Sequence, residues 1–112
     1  MSYGSVAQWL EDRIGGGFDD IPGNVEATTT EVKILSPSGD RWAVQICNNG
    51  SNPVQGRIEV SDGTSFLFLL AQDGSMFWAD AENQLSLPTR AFYIATTTGT
   101  SDVSWVETRK TH

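Results

Sequence analysis

From Val25 onward the chain is cut into short β-branched and aromatic segments by turn-forming clusters, and this punctuation constrains the fold more than any other feature. The clusters are Ser36-Pro37-Ser38-Gly39-Asp40, Asn48-Asn49-Gly50-Ser51-Asn52, Ser61-Asp62-Gly63, Gln72-Asp73-Gly74 and Thr97-Thr98-Gly99-Thr100. Asn, Asp and Gly adopt positive φ at little cost, so each cluster reverses the chain cheaply. Between them the pattern has period two, or is a short apolar run. Ala27–Leu35 is read as one strand. In Arg41–Cys47, Trp42, Val44 and Ile46 share a face, and Val54, Ile58 and Val60 share the next. Phe66–Leu70 is five apolar residues in a row and is read as a buried strand. Met76–Ala79 follows; then Phe92 and Ile94 face one way and Tyr93 the other, and Val103 and Trp105 share the last face. About seven strands at this spacing predict an all-β fold, an antiparallel β-sandwich or small barrel.

The first 24 residues differ. Ser5 and Gln8 have the spacing of a capping box, and Val6, Trp9, Leu10 and Ile14 recur at helical spacing. Gly15-Gly16-Gly17 ends that short helix, and Phe18–Asn24, with its Pro22-Gly23 pair, is read as an extended linker. A helix of about ten residues is marginal alone in water. Burying each of Val6, Trp9, Leu10, Ile14 and Phe18 is worth ~1.5–3 kcal/mol, so the arm is expected to dock. The glycine hinge favours a partner's surface over its own domain. The predicted organisation is an arm over residues 1–24, a β-sandwich over 25–108 and a polar tail over 109–112.

Charge and composition bound the function. Residues 1–31 hold six acids and one base, and the 112-residue chain carries a net charge of −7. That field repels phosphates and anionic lipid, so neither nucleic acid nor membrane is expected as a partner. No basic-then-apolar leader and no apolar run of transmembrane length is present. One cysteine, Cys47, and one histidine, His112, supply neither a metal site nor a nucleophile–base couple, so no enzyme, cofactor or metal is expected. Asp19-Asp20 and Glu11-Asp12 read as solvated charge, and the Asp-Gly pairs as turns. Trp78 and Tyr93 are the candidate surface aromatics, suited to stacking on sugar rings.

From Arg41 to Glu107 the strands resemble a family of small β-sandwich proteins of bacteriophage particles, chiefly head decoration and fibre-base proteins. The resemblance rests on Gln45-Ile46-Cys47-Asn48-Asn49-Gly50-Ser51-Asn52-Pro53-Val54, on the turn Leu70–Ser75, on Phe92-Tyr93-Ile94-Ala95-Thr96, and on Ser101–Glu107. Gln72-Asp73-Gly74 stands where such proteins often have Leu-x-Pro-Gly, and the arm is outside the match. The resemblance implies a non-enzymatic virion protein, made in the host cytoplasm and located on the capsid surface or neck. It implies a cement protein bound to the major capsid protein, and threefold sites on capsids allow a homotrimer. The alternatives are a neck or tail connector (or fibre adaptor) binding another virion protein, and a carbohydrate-binding module using Trp78 and Tyr93.

Overall fold

The computed structural model describes Gln8 and residues 17–59, 65–81 and 87–111. Eight strands are defined: β1 (Phe18–Ala27), β2 (Val32–Leu35), β3 (Arg41–Asn48), β4 (Val54–Glu59), β5 (Ser65–Leu70), β6 (Ser75–Asp80), β7 (Ala91–Thr96) and β8 (Ser101–Lys110), with a single 3₁₀ turn at Leu87–Thr89. They form two four-stranded antiparallel sheets, ordered β1-β8-β3-β6 and β2-β7-β4-β5. The fold is the all-β sandwich expected, with eight strands in place of about seven, and this strand order is that of a jelly roll.

Period two does what the sequence promised in the interior. Val44 and Ile46 of β3, Val54 and Ile58 of β4, Phe92 and Ile94 of β7 and Val103 of β8 fill the space between the sheets, none more than 1% exposed. Phe68 of β5 and Phe77 of β6 stack across the sheets with ring centroids 4.3 Å apart. Gly56 makes room for that stack, because a Cβ there would lie 2.0 Å from the Phe68 ring.

Several expectations need correction. Phe18–Asn24 is not a linker: it is most of β1, paired residue by residue with β8 from Phe18↔Lys110 to Ala27↔Ser101. The sandwich therefore begins at Phe18, not at residue 25. Pro22 and Gly23 signal a turn in isolation, but an edge strand tolerates a residue without an N–H, and the Trp105 side chain lies over Gly23. Ala27–Leu35 is not one strand. The chain leaves β1 after Ala27 and crosses to the other sheet at Val32, with the Thr30 N–H donating to Thr28 Oγ1 at 3.2 Å and the Thr96 N–H to the Thr28 carbonyl. The polar tail is also shorter than 109–112, since β8 runs to Lys110 and the Thr111 N–H donates to the Gly17 carbonyl at 3.0 Å. Trp42 does not share the face of Val44 and Ile46. A register shift in β3 between Arg41 and Ala43 turns it out to a second cluster with Phe18, Ala43 and Trp78. Finally, β5 is not buried; it is an edge strand.

Candidate association surface

Among the described residues the two sheets have four edges, β1, β6, β2 and β5. An edge strand lacks a ladder neighbour on one side, and proteins guard such strands with charge, proline, bulges or brevity. β1 carries Asp19, Asp20, Pro22 and Glu26. β2 has four residues, includes Lys33 and shifts register between Lys33 and Leu35. β6 ends in Asp80. β5, Ser65-Phe66-Leu67-Phe68-Leu69-Leu70, carries no charge, no proline and no register shift.

The alternation along β5 follows from its pairing with β4. Phe66, Phe68 and Leu70 lie opposite Ile58, Gly56 and Val54 and face inward, whereas Leu67 and Leu69 lie opposite Arg57 and Gln55 and face outward. Leu67 is 57% exposed, Leu69 67% and Phe66, at the open end of the strand, 49%. Three large apolar side chains exposed on one uncharged edge strand make it the candidate association surface. Sequence reasoning missed it because an apolar run does not distinguish burial on both faces from one apolar face left in water.

Beside Leu67 sits a polar cluster with its bonds satisfied internally. Arg57 donates from Nε and Nη2 to both carboxylate oxygens of Glu31, at 3.1 and 2.8 Å, and from Nη1 to Ser65 Oγ at 3.2 Å. Its guanidinium lies 4.1 Å from the centre of the Tyr93 ring, and Lys33 Nζ lies 5.6 Å from the same centre. The hydrogen bonds to Arg57 hold the Glu31 carboxyl below its ordinary value, and those to Glu31 raise Arg57.

The predicted site residues fall in different places. Val6, Trp9, Leu10 and Ile14 lie outside the described residues. Phe18 is buried in the chain's own sandwich, 6% exposed and edge-on to Trp42 at 5.6 Å, so it is no part of a free docking arm. Trp78 is half-buried against Phe18 and Ala43, and its indole N–H donates to Asp80 Oδ2 at 2.6 Å. Trp78 sits opposite Gln45 on the outer side of one sheet, Tyr93 opposite Lys33 and Arg57 on the outer side of the other. The two aromatics therefore make no common platform, and the Tyr93 ring is already covered by Arg57.

Among the described residues no group of three or more His, Cys, Asp or Glu could hold a metal ion. Cys47 is half-buried, with its thiol donating to Asn49 Oδ1 at 3.2 Å.

No protein-family model matches the chain, and no curated protein matches it. A similar solved structure comes from work describing Bacillus endospore appendages as a novel family of disulfide-linked pili. It matches at a TM-score of 0.54 and 14% identity, over 83% of this chain and 86% of that one. At this identity the likeness shows the fold alone.

Proposed function

We propose that this chain is a non-enzymatic structural subunit of a bacteriophage particle, a decoration protein that binds the major capsid protein by contact. The single observation that carries the reading is the unguarded β5 edge with Phe66, Leu67 and Leu69 in water, a surface suited to assembly rather than turnover. Jelly rolls host capsid, lectin and cupin functions alike, so the architecture by itself does not choose among them. The resemblance of Arg41–Glu107 to virion β-sandwich proteins is what selects the particle. In this reading Val6, Trp9, Leu10 and Ile14 supply a further contact, and Trp9→Ala weakens particle binding while leaving the melting point of the free protein in place. If the melting point falls instead, Trp9 belongs to the chain's own core.

A connector at the neck or tail differs from a decoration protein only in where it sits. The carbohydrate-binding reading loses its support, since Trp78 and Tyr93 lie on opposite outer faces. A disulfide-linked polymer of this chain alone is not available, because one cysteine per subunit closes one bridge and stops at a pair.

Mass spectrometry of purified particles from the source encoding the chain, with immunogold labelling against the purified protein, tests the proposal. Labelling over the capsid shell at high copy number supports decoration. Labelling at the neck transfers the assignment to the connector, and absence of the chain from the particles overturns it.

A further inference from the structure

We infer that the β5 edge is a self-recognition site: β5 pairs antiparallel with β5 of a second copy of this chain, joining two four-stranded sheets into one of eight. The assignment deepens the reading of that edge as an assembly surface. The occupant follows from the charge carried by the four edges. With a net charge of −7, two copies repel each other. β1 brings Asp19, Asp20 and Glu26 to an approaching strand, β2 brings Lys33 with an irregular register, and β6 ends in Asp80. Among the described edge strands, only β5 against β5 sets two uncharged strands together.

Parity then restricts the register. A twofold axis perpendicular to the sheet keeps inward residues opposite inward ones and outward opposite outward. A pairing centred on Phe68 satisfies this, with Leu67 of each copy opposite Leu69 of the other. Four leucines that stand in water in the single chain then cover one another on the outer face, and the free backbone groups of both edges are satisfied at once. Ser65, the first residue of β5, accepts a hydrogen bond from Arg57, which keeps that guanidinium within its own subunit. The contact is isologous and closes at two copies.

Sedimentation velocity of the full chain over a concentration series, against the Leu67→Lys/Leu69→Lys double variant, tests the inference. The expected result is a reversible dimer for the natural sequence and at least a tenfold weaker one for the variant. Both substituted side chains are exposed, so the circular dichroism spectrum of the variant stays unchanged; a Leu67→Ser/Leu69→Ser variant repeats the comparison should the lysines disturb folding. Cysteine pairs in a Cys47→Ser background read the register: a mixture of Leu67→Cys and Leu69→Cys chains cross-links between the two, and neither alone does so as well. A natural chain that stays monomeric at every concentration overturns the inference. So does a dimer indifferent to the lysines, or growth to trimers and open polymers. A dimer that forms but does not bind capsids leaves the pairing intact and refutes the decoration reading instead.

Discussion

Arg41 and Asn48 hold β3 at its two ends, each with several bonds from a side chain almost fully out of water. Arg41, 1% exposed, donates from Nη1 to the carbonyls of Pro88 and Arg90, from Nη2 to that of Ser36, and from Nε to Glu107. It ties the 3₁₀ turn and the β2–β3 connection to the sheet, and its burial lowers its pKa below the ordinary arginine value. At the other end the Asn48 amide donates to the carbonyls of Asn52, Leu70 and Ala71, while its oxygen accepts from the Gly50 N–H and from Ser101 Oγ. Arg41→Met should cost about 3–5 kcal/mol, because it strands three carbonyls and leaves the Glu107 carboxylate to Arg109 alone. Urea unfolding measures this, and a loss under about 1 kcal/mol would show that water replaces the guanidinium freely. The exposed Arg57–Glu31 pair behaves differently. The folded pKa of Glu31 is depressed, so its contribution is complete above the unfolded value of 4.5 and is lost as pH falls through the folded one. Glu31→Gln should therefore lower stability at neutral pH by less than about 1 kcal/mol, with the two proteins converging in acid. A gap that persists in acid would assign the effect to packing.

At the scale of elements, β1 carries the clearest consequence. A chain beginning at Val25 lacks Phe18–Asn24, which leaves β8 paired with β3 alone over most of its length and removes the Phe18–Trp42 contact. It should unfold or aggregate, as read by circular dichroism and sedimentation, whereas a folded, non-aggregating product would show β1 to be dispensable. This reverses what the sequence leads one to expect, and the reason is physical. The interior strands β3, β4, β7 and β8 were legible because one face meets the core, which forces apolar residues into alternation. An edge strand is under a weaker constraint. β1 mixes acids, proline and glycine, which an edge strand tolerates, and that composition looks like a linker. β5 departs in the opposite direction, and its apolar run looks like core. The turn at Gln72-Asp73-Gly74 is legible for a local reason: Asp73 and Gly74 both adopt positive φ, 63° and 101°, which their residue types permit, whereas Ser61-Asp62-Gly63 lies outside the described residues. What pairs with what, and which aromatic falls on which sheet, is long-range information that no local pattern carries, so Trp78 and Tyr93 were grouped although the fold separates them.

For the whole molecule, two opposing forces act on association. The net charge of −7 drives copies apart, and the uncharged β5 edge draws them together. Dimerisation should therefore tighten as salt screens the repulsion, with a several-fold stronger association at about 0.5 M than at 0.05 M salt. Weakening with salt would indicate that ion pairs, not the β5 edge, hold the copies. The central claim is that β5 is the edge the protein keeps open for assembly. Hydrogen–deuterium exchange of the full chain at low and high concentration tests it most directly. The β5 amides that point away from β4 should exchange fast when dilute and become protected when concentrated, with the other three edges unchanged. Protection appearing at β1, β2 or β6 instead, or a β5 equally open at both concentrations, would contradict the account.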